Sequence, residues 1–194
     1  MLPADLYLMR HGQTEWNVSG RSQGRLDSPL TALGVAQARR HARTLAGVAF
    51  THAYTSPLGR ARRTAALVLE GRDVPLTVLD DLTEMDHGGL GGLLPAERLA
   101  RFPELAEQRR RDKFRTVLPG GESYATAAPR ARRALEHVAA HSPVGPVLVV
   151  AHEMIGRLLR LHLLGLSPEE ALSSGQPQDT VYRIHLGQLS TLDA

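Results

Sequence analysis

An unbroken aliphatic run, Val147-Leu148-Val149-Val150, sits between Pro146 and Ala151. Four β-favouring side chains in a row, with no polar alternation, predict a buried strand. A chain that holds such a strand must cover it with other elements. Further strand segments are expected at 5–9, 51–55, 76–79 and, last, 180–186. Segments of helical spacing lie between them. Val35, Ala38, Ala42 and Leu45 form one stripe of a helix over 30–45, with Thr31 as its N-cap and Arg39, Arg40 and Arg43 off the stripe. Ser56 and Pro57 have the chemistry of a cap and a first helical position, ahead of the stripe Leu58, Ala61, Ala65 and Val68. A glycine-rich loop over 88–92 precedes two short helical pieces between 95 and 113. A longer helix over 122–140 contains Pro129; interior proline costs roughly 3 kcal/mol, so this helix starts late or kinks. A helix over 153–164 carries Ile155, Leu158, Leu159 and His162 on one side. Strands alternating with helices predict an α/β fold.

The length of 194 residues suits one domain with a real core. Aromatic residues are only 4%, so Leu, Val and Ala must fill that core. Cysteine is absent, which excludes disulfides, thiolate metal sites and a cysteine nucleophile. The first residues lack the pattern of a secretory leader, and no apolar stretch approaches the roughly 18 residues of a membrane span. A soluble cytoplasmic protein is the expectation. The net charge is +3 although the pI is about 9.8. The two agree because Lys113 is the only lysine and arginine keeps its proton at alkaline pH.

Three motifs carry chemistry. Arg10-His11-Gly12 closes the first strand, and ligands of open α/β sheets sit outside the carboxyl ends of strands. A neutral, oriented imidazole there can be a nucleophile. Arg10 offers donors for phosphate oxygens, and Gly12 permits close approach of the backbone. Val149-Val150-Ala151-His152 brings a second histidine to a second strand end. Ser56 to Ala65 places Arg60 in the first turn of a helix, where backbone N–H groups also face an anion. At least one of Arg62 and Arg63 reads as part of a solvated basic face.

Together these pieces resemble the histidine phosphatase superfamily, the phosphoglycerate mutase-like family, and its phosphatase branch in particular. The resemblance runs through Arg10-His11-Gly12-Gln13-Thr14-Glu15-Trp16-Asn17, then Gln23-Gly24-Arg25-Leu26-Asp27-Ser28-Pro29-Leu30-Thr31 and Gly34. It continues through 56–64, Leu82-Thr83-Glu84, Pro119-Gly120-Gly121-Glu122-Ser123 and Ala151-His152. It implies a three-layer sandwich whose central, mostly parallel sheet is flanked by helices. The chain would be one histidine phosphatase domain over 1–194, with a small helical or loop cap around 88–118. By the same resemblance His11 is the phosphorylated nucleophile, Arg10, Arg60 and His152 surround the phosphoryl group, and Glu84 gives a proton to the leaving oxygen. Asn17, Thr14, Gln23 and Gly24 are further substrate-pocket residues. Two arginines and a histidine can stabilise the equatorial oxygens without a metal. No dense carboxylate cluster marks a magnesium site, so neither metal nor cofactor is expected.

The sequence departs from the family pattern in places. The run after Glu84 is Met85-Asp86-His87-Gly88-Gly89-Leu90-Gly91-Gly92, so Gly91 replaces the usual later acid. Asp86 and His87 are candidate substitutes, His87 more readily for an aromatic. Glu153 follows the second histidine where glycine is usual; it is expected to turn outward or pair with an arginine such as Arg157. Arg109, Arg110, Arg111, Lys113 and Arg115 read as a solvated helix face balanced by Glu104, Glu107 and Asp112, rather than as a cationic flap.

The function read from this pattern is a metal-independent phosphomonoester hydrolase acting through phosphohistidine. The alternatives are a cofactor-dependent phosphoglycerate mutase and a non-catalytic phospholigand-binding module. The expected partner is a small phosphorylated substrate, and a homodimer is compatible with the resemblance. Dispersed basic residues and few aromatics argue against nucleic acid. Specificity would reside in the loops 20–26 and 88–117.

Overall fold

The computed structural model describes residue 3 and residues 5–193; residues 1, 2, 4 and 194 of the expected 1–194 span lie outside the described residues. In chain order the strands are β1 (Asp5–Arg10), β2 (His52–Thr55), β3 (Leu76–Val78), β4 (Val147–Ala151), β5 (Thr180–His185) and β6 (Gln188–Asp193). The helices are α1 (Glu15–Ser19), α2 (Ala32–Thr44), α3 (Gly59–Val68), α4 (Pro95–Arg101), α5 (Leu105–Arg111), α6 (Tyr124–His141), α7 (Glu153–Leu164) and α8 (Pro168–Ser173). Among the described residues no helix is long and apolar enough to cross a membrane.

The strands form one sheet in the order β3-β2-β4-β1-β5-β6. The pairs β3–β2, β2–β4 and β4–β1 are parallel, while β5 and β6 add an antiparallel edge. β4, the aliphatic run, is buried along its whole length. It lies between β2 and β1, with Val149 paired to Tyr54 on one side and to Leu8 on the other.

Alternation along the strands divides the interior in two. Leu6, Leu8, Val147 and Val149 face one cluster with Ala127, Ala131, Leu135 of α6 and Ile155, Leu158, Leu159 of α7. Tyr7, Met9, Leu148 and Val150 face the other, with Ala38 of α2 and Ala61, Ala65 and Val68 of α3. The result is a helix–sheet–helix sandwich, the expected class. Burying these aliphatic faces supplies the main favourable term, at ~25 cal/mol per Å² of apolar surface.

Several boundaries differ from the sequence reading. Thr31 caps α2 by accepting from the Gly34 N–H. Ser56 and Pro57 precede the next helix instead of opening it: Leu58 is the N-cap of α3, and Ser56 stays buried beside the site. α6 begins at Tyr124 after a Ser123 capping box and runs on through Pro129, its sixth residue. β5 is followed by β6, an additional strand. The pair is joined at Leu186 and Gly187, both at positive φ (49° and 78°), the geometry of a tight two-residue hairpin turn.

Candidate active site

β1 and β4 end side by side, with Arg10 paired to Ala151. Their carboxyl ends therefore bring His11 and His152 together, with ring centroids 5.1 Å apart. Gly12 and Gly34 allow the chain after β1 to pass tightly against α2. A Cβ on Gly12 would stand 2.4 Å from the Gly34 carbonyl oxygen, and one on Gly34 would stand 2.1 Å from that of Gln13.

His11 is buried. Its Nδ1 lies 2.8 Å from the Gly12 carbonyl oxygen, and its Nε2 accepts from Arg60 Nε at 3.2 Å. A carbonyl only accepts and a guanidinium only donates, so the pair assigns the proton to Nδ1 and the lone pair to Nε2. Burial first, then the positive charges of Arg60 and Arg10, hold this ring well below the ordinary histidine range.

Arg60 uses four of its five N–H donors within the protein, one of them on His11. Its Nη1 donates to the Leu26 carbonyl (2.7 Å) and to Asp27 Oδ1 (2.9 Å), and its Nη2 donates to the Gly24 carbonyl (2.8 Å). The 20–26 loop thus orients the guanidinium, and Gly24 holds φ +54° to present that carbonyl. His152 is fully buried, with Nε2 2.7 Å from Ser56 Oγ and with Nδ1 unpartnered. Ser56 Oγ already accepts the Leu58 N–H, which frees its own proton for His152 Nε2. Burial, followed by Arg60 and the neighbouring charges, also holds the His152 ring well below the ordinary range.

Glu84 follows the 3₁₀ turn Asp80–Leu82. Its Oε1 accepts from the Met85 (2.8 Å) and Ile155 (3.0 Å) N–H groups, and its Oε2 accepts from Met154 (3.0 Å). Two of these three donors are the N-terminal amides of α7. Oε1 is saturated, whereas Oε2 retains a lone pair that can carry a proton.

A cleft of about 320 Å³ gathers Arg10, His11, Asn17, Gln23, Gly24, Arg60 and Glu84. Two expected residues do not line it. His152 stands behind His11. Thr14 is wholly buried, caps α1 and accepts from Gln23 Nε2 at 2.9 Å, so it supports the wall without reaching the cleft. Asn17 receives Gln178 Nε2 at 2.9 Å, which ties it to the 174–178 segment.

The departures find places too. Glu153 pairs with Arg157 (2.8 Å), as expected, and also with Arg10 (2.7 Å), which the sequence reading did not anticipate. It is the second carboxylate lining the cleft beside Glu84. Asp86 turns away to the Gly88 N–H and Arg25. His87 lies in the cleft wall, between Ser22 Oγ (2.6 Å) and Met154 Sδ (3.2 Å).

The basic run of α5 divides, which corrects its reading as a wholly solvated face. Arg110 and Arg111 pair with Glu107, and Arg115 pairs with Asp112. Arg109 and Lys113 instead turn into the cleft near Arg157. Burial lowers the proton affinity of both, and the other cations lower it further. Lys113 lies in the turn beyond the end of α5, so helical spacing does not group it with Arg109 and offered no signal for the pair. Arg62 and Arg63 are both exposed. Among the described residues, no group of three or more His, Asp or Glu side chains could hold a metal ion.

Comparison with known proteins gives the family. The pattern of the histidine phosphatase superfamily (branch 1) matches residues 6–189. Phosphoserine phosphatase 1 of Hydrogenobacter thermophilus is 32% identical over 181 residues, 93% of this chain and 86% of that protein. The 2,3-bisphosphoglycerate-dependent phosphoglycerate mutase 2 of Gloeobacter violaceus is 38% identical over 170 residues, 85% of this chain and 78% of that one. Among solved structures, the alpha-ribazole phosphatase of Shigella flexneri superposes with a TM-score of 0.88 at 28% identity, covering 98% of this chain and 96% of its own.

Proposed function

The chain belongs to branch 1 of the histidine phosphatase superfamily, and from that premise we propose that it is a metal-independent phosphomonoester hydrolase working through a phosphohistidine on His11. The observation that carries this reading is the fixed tautomer of His11, with Nδ1–H given to Gly12 and the Nε2 lone pair held in a cleft that also contains Glu84. In the first step the Arg60 Nε–H passes from that lone pair to a phosphoryl oxygen, and the lone pair attacks phosphorus while the ester P–O bond breaks. Glu84 Oε2 gives its proton to the departing oxygen. Arg10 and Arg60 bind the equatorial oxygens, whose charge is the main load of phosphoryl transfer, and His152 sits buried beside His11 with its Nδ1 unpartnered. In the second step water attacks the phosphohistidine, its proton goes to Glu84, the N–P bond breaks and inorganic phosphate leaves. Asn17, Gln23 and Gly24 shape the wall, with Thr14 behind them. In this reading the chain is one catalytic domain over 1–194, with the cap around 88–118 governing access.

A mutase is the second reading, favoured by the 38% identity to a phosphoglycerate mutase. A mutase must keep water from its phosphohistidine, and a phosphatase must admit it.

The test is hydrolysis of p-nitrophenyl phosphate with chelator present. Wild type should turn over, His11→Ala should lose activity by at least about 10⁴-fold, and Glu84→Gln by about 10²–10⁴-fold. Full activity in His11→Ala would sink the phosphohistidine. Loss in chelator with recovery in magnesium would sink the metal-free mechanism. Labelled phosphate passing from 2,3-bisphosphoglycerate to monophosphoglycerate faster than to water would decide for the mutase.

A further inference from the structure

The cap helices α4 and α5 bury none of their residues. Phe102 and Leu105 are nevertheless half-buried, and with Leu99 they form one wall beside the cap that belongs to neither core cluster. Leu99 is 62% exposed. Opposite them stand Leu90 and Leu118, both buried and also outside the two cores, and the side chain of Met154. Between these walls runs a groove of about 400 Å³, within the size range of small-molecule sites.

This groove opens from the catalytic cleft. Ser22, His87, Arg98, Arg109 and Met154 line both. Met154 also sets the direction. Its N–H holds Glu84 Oε2 at 3.0 Å, and its sulfur meets His87 Nε2 at 3.2 Å. Glu84 is the group assigned above to protonate the leaving oxygen, so the leaving group departs on the side where Met154 and the groove stand.

We infer that the alcohol released by this enzyme carries an apolar body, a ring or short hydrocarbon chain, that seats in the groove between α4–α5 and Met154. The inference rests on the phosphomonoesterase reading. Apolar side chains held apart by a cap, without a core of their own to complete, gain from a ligand that removes their surface from water. A small polar alcohol would leave that surface wet.

The test is a series of n-alkyl phosphates, ethyl to hexyl, hydrolysed by the full chain. In wild type kcat/KM should rise about threefold per methylene. Ala106→Phe, which fills the groove, should bring the hexyl-to-ethyl ratio towards one. Phe102→Ala should lower the same ratio by opening a wall. Turnover of every ester with no chain-length slope in wild type would overturn the groove and leave the hydrolase standing. If no ester is hydrolysed, the hydrolase reading falls, and the groove is judged by calorimetric binding of the same phosphates. Tighter binding of hexyl than of ethyl phosphate, lost in Ala106→Phe, would uphold it; equal binding would overturn it.

Discussion

An imidazole attacks phosphorus only through an uncharged nitrogen, and the position of His11 keeps it uncharged. Burial and flanking guanidinium groups depress the proton affinity of His11, and burial does the same for His152, His41, His52 and His87. The unfolded chain takes up protons near 6.5 that the folded protein refuses, so stability is complete above 6.5 and is lost as pH falls below it. Carboxylates titrate lower, which leaves pH 5.5 as a window on histidine. The urea midpoint should be lower at pH 5.5 than at 7.5; equal midpoints would mean that the rings are not held neutral. Glu153 makes a different case. It occupies Arg10 at 2.7 Å, where a substrate phosphate would compete for the same donor. Glu153→Gln should tighten inhibition by inorganic phosphate by up to about tenfold, read as a lower inhibition constant; unchanged or weaker inhibition would show that the carboxylate does not compete. His11, Arg10, Arg60 and His152 were legible in the sequence because each stands at a strand end or helix start inside a recognisable run, whereas Glu84, past the 3₁₀ turn Asp80–Leu82, was named through the family resemblance alone. Arg109 and Lys113 were not, because Arg109 differs from solvated Arg110 and Arg111 only by the turn of α5, and Lys113 is turned inward by the non-helical chain that follows it.

α7 is the element on which the site leans. Its first amides hold Glu84, and deeper in the same helix the buried Arg160 grips the 174–175 segment. Arg160 donates to Ser174 Oγ at 2.7 Å and to the Gly175 carbonyl at 2.8 Å, and its guanidinium lies 4.6 Å from the centre of the Tyr182 ring. The next residue, Gln176, accepts Arg10 Nη1 through its carbonyl at 3.3 Å. Arg160→Met should cost about 2–4 kcal/mol in denaturant unfolding, because three acceptors, Ser174 Oγ, the Gly175 carbonyl and the Ser174 carbonyl at 3.4 Å, lose a charged donor. A loss under about 0.5 kcal/mol, the range of an inconsequential surface change, would show that the clamp is idle. The bounds of α7 were readable from its strict apolar stripe, and those of α6 less so. Ser123 gives α6 a capping box two residues past the expected start, and tertiary packing of Ala127, Ala131 and Leu135 carries the helix through Pro129. β6 escaped notice because Gln188–Asp193 is polar and mostly exposed, and its only signal was the Leu186-Gly187 turn.

Across the whole molecule, the sheet joins distant parts of the chain. β1 pairs only with β4 and β5, so its partners begin at Val147 and Thr180. A fragment of residues 1–142 would hold β1 without either neighbour and should show no cooperative unfolding transition. A sigmoidal melt from that fragment would mean that this segment folds independently. The same distance explains what the sequence could not tell. Which strands exist follows from local pattern, but the order β3-β2-β4-β1-β5-β6 follows from pairings between remote segments, which periodicity does not encode. The proposed chemistry sits at the carboxyl end of this sheet, while α4 and α5 lie over it and bury no residue. Folding therefore places little demand on what those two helices carry. A substitution there can alter which molecule is accepted with little loss of the folded state, so selectivity in this scaffold is free to drift, or to be redesigned, while the catalyst beneath stays intact.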